Sequence, residues 1–483
     1  TAGVVNLVSA KPTDQFEAMA SGDIGNYHNR RFEGMVNLPI VDDWLDIRVA
    51  GEWTKRQGYT TNEVTGNSVD GRDLWSGRVS IAWKPIQNLQ ANLVWEHFSE
   101  DDDRMRTSKQ LCKTDTGVTS VDGVSVPVPG TAGLNNPYAN AFAITTGYTS
   151  QGCLPASLYA PESFGVPYGY ALPYVVAGWV AHTLAVTNPY ASTTQSSNLR
   201  VIDTQIDPIY QSKNDTLELN ADYSLTPSLT FTSQTGYSQD FLYSTEDYNR
   251  FNTAPDIFVK SDVSSVRANS LVVLDGNYRC DDGTLSVAGN NCAVPVLARA
   301  TGYFCDPQLG CSSRLVAQDV SREHAWQFAQ EMRLASHFDG PFNFSLGGNY
   351  MHYETEDDYF VFANSLTTLA AYSAGTKASP WMPGVTDNLS DCQSAGYPAG
   401  TPSGGYGYQY TNPFNGAGQP PSVCYYIDPN PLSSVNSQGH NYFLSKNPYT
   451  LNSYAGFGEA YYNVFDDLKL TGGLRWTDDR KHF

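Results

Sequence analysis

The stretch Leu74-Trp75-Ser76-Gly77-Arg78-Val79-Ser80-Ile81-Ala82-Trp83-Lys84 decides the fold. Its odd positions read Trp, Gly, Val, Ile, Trp and its even positions read Leu, Ser, Arg, Ser, Ala, Lys. A period of two is that of a β-strand, whose successive side chains point to opposite faces. One face is apolar with an indole at each end, and the other carries the charges. Aromatic rings settle at the two headgroup levels of a bilayer while the residues between them face lipid tails, so this pattern suits a strand that crosses a membrane.

The same pattern recurs on either side. Leu45, Ile47, Val49, Gly51 and Trp53 alternate with Asp46, Arg48, Ala50 and Glu52. Near the far end, Leu468, Leu470, Gly472, Leu474 and Trp476 alternate with Lys469, Thr471, Gly473, Arg475 and Thr477. Trp53, Trp75, Trp83, Trp95 and Trp476 are therefore expected at the lipid interfaces. Eleven strands are expected at 14–26, 30–39, 45–58, 72–84, 89–101, 214–225, 228–241, 322–336, 341–356, 450–463 and 467–480. Connections on one rim are then a few residues long, whereas on the other they include 102–213, 242–321 and 357–449. Short turns on one rim and long loops on the other mark an outer-membrane barrel. The fold class expected is all-β, an antiparallel transmembrane β-barrel. The long loops form an extracellular cap, with a short helix near Phe362–Ala374.

Composition agrees with that class and excludes others. Of 483 residues 41% are hydrophobic and 16% charged, and the formal charge is −20, which argues against nucleic acid as a partner. The most apolar segment, Tyr170 to Val186, is interrupted by Pro173, Gly178 and His182 and reads as loop rather than as a membrane helix. The eight histidines form no H-x-x-x-H or H-E-x-x-H pair, and neither a G-x-S-x-G elbow nor a phosphate-binding loop is present. No enzyme activity and no cofactor are expected.

Eight cysteines fall as neighbours in the long loops: Cys112 with Cys153, Cys280 with Cys292, Cys305 with Cys311, and Cys392 with Cys424. Zinc sites favour C-x2-4-C, and the tightest spacing here is C-x5-C, so disulfides in an oxidising compartment are favoured. The run Glu100-Asp101-Asp102-Asp103 sits where a strand leaves the membrane. It is a weak candidate for a hard cation such as calcium, and a solvated rim cluster is the simpler reading. The inward charges Asp46, Arg48, Glu52, Arg78, Glu331 and Arg475 are expected to contact whatever fills the barrel. Loop tyrosines, among them Tyr168, Tyr170, Tyr174, Tyr406, Tyr408, Tyr410, Tyr425 and Tyr426, offer flat amphipathic surfaces to a ligand or pack the cap against itself.

Three kinds of segment carry a family resemblance. Thr1-Ala-Gly-Val-Val-Asn-Leu-Val-Ser-Ala-Lys11-Pro12 resembles the last plug strand of TonB-dependent receptors, where the chain passes into the first barrel strand. Ser453-Tyr-Ala-Gly-Phe-Gly-Glu-Ala-Tyr-Tyr462 and Leu470-Thr-Gly-Gly-Leu-Arg-Trp-Thr-Asp-Asp-Arg-Lys481 look like barrel strands of that family, as does Gln330-Glu-Met-Arg-Leu-Ala-Ser336. The resemblance implies residues 1–13 as the end of a plug domain and 14–483 as the first half of a barrel of twenty-two strands. It implies a bacterial outer-membrane location, with lipid and lipopolysaccharide around the barrel. It also implies energised import driven by a TonB complex acting on the plug. A ferric siderophore is the first cargo implied, followed by a saccharide and then cobalamin. A passive porin shares the strand pattern but lacks a plug, which residues 1–12 supply. A surface adhesin would explain the cap alone.

Non-reducing peptide mapping is expected to recover Cys112–Cys153, Cys280–Cys292, Cys305–Cys311 and Cys392–Cys424, with Cys280–Cys311 and Cys292–Cys305 as the alternative in the middle loop. A count near eight free thiols would contradict both the pairing and the oxidising compartment.

Overall fold

The computed structural model of the protein describes residues 8–126, 149–169, 188–255, 257, 277–279, 285–287, 304–306, 309–366, 406–410, 423–427, 443–465 and 467–483. Its principal element is one antiparallel sheet of eleven strands. In chain order these are β1 (Glu17–Gly25), β2 (Asn29–Val41), β3 (Leu45–Arg56), β4 (Arg72–Ile86), β5 (Leu89–Asp102), β6 (Ile209–Thr226), β7 (Leu229–Asp247), β8 (Ala317–Ser336), β9 (Phe342–Ala363), β10 (Phe443–Phe465) and β11 (Leu468–His482). Every strand pairs with its neighbour in sequence, so the sheet is a meander with no crossover. Among the described residues β1 and β11 form its two edges.

All eleven expected strands are present, but several run further than expected. Strands β6 to β10 have 18 to 23 residues, where about 9–11 suffice to cross hydrocarbon. The excess stands beyond one rim, so the long connections begin at 103, 248 and 364 rather than at 102, 242 and 357. The helix expected near Phe362–Ala374 starts later, at 364–366, because β9 continues through Phe362 and Ala363. Phe362 and Phe360 are fully buried there with Val320, against Tyr243 and Leu309, and that small core holds the strand straight beyond the rim. Residues 367–374 of that segment lie outside the described residues, as does Tyr170 to Val186.

Register sets the two faces. Trp53 lies directly opposite Trp75, and Leu45 opposite Trp83. One row of aromatics follows the rim that bears the cap. In it Phe32 stacks on Trp53 with centroids 5.9 Å apart, Trp75 meets His97 at 4.8 Å, Trp326 meets His352 at 4.5 Å and Tyr350 meets Tyr454 at 5.0 Å. A second row follows the short-turn rim. There Trp44 meets Trp83 edge-on at 6.2 Å, Phe342 lies 6.4 Å from Phe344, and Phe342 is paired with Tyr462. The eight residues from Trp75 to Trp83 place the rows about 26 Å apart along a strand. Trp75, Trp83 and Trp95 are 46%, 42% and 45% exposed, and Trp476 is also exposed. An apolar face left this open in a sheet of this size needs a non-aqueous neighbour.

Two adjacent substitutions separate the faces. Val49→Arg, midway between the aromatic rows on the exposed apolar face, is expected to cost about 2–4 kcal/mol in lipid-reconstituted protein. Ala50→Arg, one residue on and facing the inner groove, is expected to cost little. Urea unfolding in bilayers measures both, and equal costs would mean the faces are misassigned.

Candidate functional site

The inner face of the sheet forms a groove lined by Arg48, Glu52, Arg78 and Glu96 over β3 to β5. It continues along Asn92, Glu218, Gln234, Glu331 and Asn349 over β5 to β9. Alternation places these side chains there, as at Arg48 beside exposed Val49, Glu218 between exposed Leu217 and Leu219, and Glu331 beside exposed Met332. The charges on the β1–β5 side are cross-linked. Arg78 Nε donates to Glu96 Oε2 at 2.8 Å, Arg31 Nε to Glu52 Oε1 at 2.9 Å and Arg48 Nη1 to Glu17 Oε2 at 3.4 Å. Of the six inward charges expected, Arg48, Glu52, Arg78 and Glu331 line the groove. Asp46 is buried, and the Arg475 guanidinium lies 5.4 Å from the Phe457 ring.

Residues 8–12 run along this groove and form part of its wall. The segment is held where it turns into β1 by Asn37, a residue the sequence did not single out. Asn37 Oδ1 accepts from the Thr13 N–H at 3.0 Å, and its Nδ2 donates to the carbonyls of Thr13 at 2.8 Å and Gln15 at 2.6 Å. The side chain is fully buried. It thus acts as a short surrogate strand for backbone groups that have no ladder of their own, and such groups are costly to leave unpaired.

On the cap side, Cys112 and Cys153 are bonded, with their Cα atoms 4.9 Å apart. Cys153 lies in a small ladder of Gly152–Leu154 against Lys113–Asp115, while Cys112, just before that ladder, bridges to Phe164. Cys305 and Cys311 stand opposite one another in the hairpin of Phe304–Asp306 and Gly310–Ser312. Cys280, Cys292 and Cys392 lie outside the described residues, and so do the side chains of Cys305, Cys311 and Cys424.

A strap from Asp103 to Gln110 crosses from β5 to the protruding ends of β7 and β8. Arg106 anchors it, donating through Nη2 to Asp319 Oδ1, a carboxylate that also accepts from the Tyr359 hydroxyl at 3.0 Å. The Thr107 N–H donates to Glu246 Oε1 at 3.2 Å, and Arg250 pairs with the same carboxylate at 2.6 Å. Asp247 beside it is buried and accepts backbone N–H groups from Gln205, Asn249 and Arg250. At the far end of the strap Lys109 donates to the Val201 carbonyl at 2.5 Å. Burial lowers its ammonium pKa, and burial raises that of Asp203, whose charge partly offsets the effect on Lys109. The arrangement is a lid-like brace, with partly buried charges matched in place.

The acidic run is part of that brace. Asp103 Oδ1 accepts from the Gly71 N–H at 2.5 Å, although burial still raises its pKa. Asp102 takes the N–H groups of Asp73 and Arg104, Asp101 takes the Gln211 amide, and Glu100 pairs with Arg104 at 3.1 Å. The four carboxylates are taken up by Gly71, Asp73, Arg104 and Gln211, and among the described residues no three acidic, histidine or cysteine side chains converge on a point where a metal ion could sit.

No protein-family model matches the chain. Solved structures similar to it include the ferric yersiniabactin uptake receptor FyuA from Yersinia pestis, at 11% identity and a TM-score of 0.44, with 99% of this chain and 41% of that one covered. The ferric-catecholate import receptor Fiu from E. coli K12 matches at 11% identity and a TM-score of 0.41, over 99% of this chain and 43% of that one. The copper transporter OprC matches at 9% and 0.36, over 98% and 38%. These are uptake and transport proteins. The chain spans less than half the length of each. Likeness at this level leaves ligand and mechanism to be argued from the residues of the chain itself.

Arg106→Ala would leave Asp319 as a buried carboxylate without its cation, while Glu246 keeps Arg250; the loss costs about 3–5 kcal/mol when a pair is fully buried and less for this partly exposed arginine. Hydrogen exchange is expected to show lost protection at 104–110 and unchanged protection in β2 to β5. Unchanged protection of the strap would mean the ion pair does not hold it.

Proposed function

We propose that the chain is the first half of the barrel wall of a TonB-dependent receptor in a bacterial outer membrane, with the end of its plug at residues 1–13. The observation that carries the reading is the pair of aromatic rows on the exposed apolar face, about 26 Å apart, with a charged groove on the opposite face. A soluble sheet has no reason to keep such a face bare, whereas a bilayer requires it. The two free sheet edges fit the same reading, because unpaired backbone groups in hydrocarbon cost several kcal/mol each and further strands would close the wall. Residues 8–12 in the groove fit a plug passing into the barrel, and this disfavours a passive porin.

In this reading a scarce solute binds beneath the braced cap. A periplasmic TonB complex then pulls on the plug, and the solute passes along the groove. No bond of the solute is made or broken. A ferric siderophore is the cargo that the family resemblance implies first, and a saccharide or cobalamin comes next.

Deletion of the gene is expected to abolish uptake of one labelled nutrient by whole cells, and dissipating the proton gradient is expected to block the same uptake in the parent. The protein itself should sediment with outer membranes. Uptake that persists without the gradient would indicate a porin, and a soluble protein would end the reading.

A further inference from the structure

Three carboxylates are buried together where the strap meets the protruding strands. Glu246 and Asp247 at the end of β7 are 4% and 1% exposed, and Asp319 near the start of β8 is 3% exposed. Two guanidiniums answer them. Arg106 pairs with Asp319 and holds its Nε 3.9 Å from Glu246 Oε2, and Arg250 pairs with Glu246 at 2.6 Å. Asp247 has no ion pair among the described residues, and its oxygens accept the N–H groups of Gln205 at 2.7 Å, Asn249 at 2.9 Å and Arg250 at 3.2 Å. The other titratable groups packed around the joint do not supply a third cation. Tyr190 from segment 188–208 is buried, Tyr248 follows Asp247 in the chain, and Tyr359 of β9 donates to Asp319. Lys109 is turned toward the Val201 carbonyl and Asp203 at the far end of the strap, and Asp207 is bound by Asn62, Thr65 and Asn67. Arg322 and Asp358 pair with each other on the opposite face of the sheet. Three negative charges therefore share two positive ones where water does not reach.

We infer that this joint is a proton-operated latch: one proton taken up at Asp247 closes the strap more firmly on β7 and β8, so the cap is held tighter in a mildly acidic medium than in an alkaline one. Ion-paired carboxylates ordinarily give the opposite response, because acid discharges them and breaks the pair. Here the unmatched charge is removed first, while Arg106 and Arg250 keep their partners. Burial pushes the Asp247 carboxyl up to about 6, against the pull of its three N–H bonds and of Arg250. A carboxyl raised by folding stabilises the folded form below its ordinary value and loses that contribution as pH rises through the raised one. Asp247 also ties two segments at once, since Gln205 belongs to the loop that carries Val201 and Arg250 belongs to the turn that holds Glu246. Its ionisation is thus felt on both sides of the strap. Between pH 5 and 7.5 the difference corresponds to about a tenfold change in the opening equilibrium.

The test is hydrogen exchange on the intact protein in lipid bilayers at pH 5 and pH 7.5, corrected for intrinsic rates. It is read at the amides of Gln205, Asn249 and Arg250, which bond to Asp247, and across 104–110. Protection there is expected to be about tenfold greater at pH 5, with protection in β2 to β5 level between the two. Asp247→Asn carries no charge at either pH and keeps an oxygen for Asn249 and Arg250, so its protection should be the same at both. Protection that falls toward pH 5 in the wild type, as loss of ion pairs would give, overturns the inference. So does a pH response at the three amides that Asp247→Asn leaves intact. Should the variant leave the joint unprotected throughout, isotope-edited infrared titration of wild-type aspartates decides: a buried carboxylic-acid band growing as pH falls through about 6 supports the latch, and its absence at pH 5 overturns it. The measurement is made on the cap alone, so its failure leaves the import reading standing, and a protein absent from the outer membrane ends that reading without touching this one.

Discussion

The structure depends on one constraint: inside hydrocarbon no water is present to pair with backbone N–H and C=O groups, so each must find its partner in a neighbouring strand. A meander of antiparallel strands meets that demand by the simplest connection, and its period of two then assigns every side chain to lipid or to lumen. The exposed tryptophans and the groove of charges are two consequences of that single assignment. A slip of one residue in any strand would exchange the faces, bringing Glu52 or Arg78 into lipid at a cost of several kcal/mol.

Where the strands leave the bilayer the constraint is lifted, and the protein changes its means of support. Charges become the cross-links. Arg106, Arg250, Glu246 and Asp319 tie the strap to the sheet, and the disulfide Cys112–Cys153 closes a ring of the cap. Asn37 does comparable work at the opposite rim, holding the segment that enters β1 against the wall. The sheet is braced by its ladder, and the strap and the segment entering β1 are braced by side chains.

How much of this could be read from sequence follows from the same physics. All eleven strands were legible because lipid on one face and water on the other print an alternation that survives any particular choice of residue. Their protruding ends were not. In β8 the run Ala317, Gln318, Asp319, Val320 is buried on both faces, Asp319 under the strap and Val320 in the small outer core, so polarity no longer reports direction. Phe362, where the sequence predicts helix, is a strand residue buried in the same outer core. Arg106 and Asp319 are far apart in the chain, and nothing local to either announces the pair. Asn37 reads in the sequence as any inward polar residue, since its three hydrogen bonds go to Thr13 and Gln15, distant in the chain.

The central claim is that the odd positions of β4 face lipid, and nitroxide scanning of Leu74 to Lys84 in the membrane-embedded protein tests it most directly. Collisional quenching by oxygen, which partitions into lipid, is predicted to oscillate with a period of two. Maxima should fall at 75, 77, 79, 81 and 83, with a polar nickel chelate giving the opposite phase. Maxima at the even positions, or no oscillation across the stretch, would contradict the account.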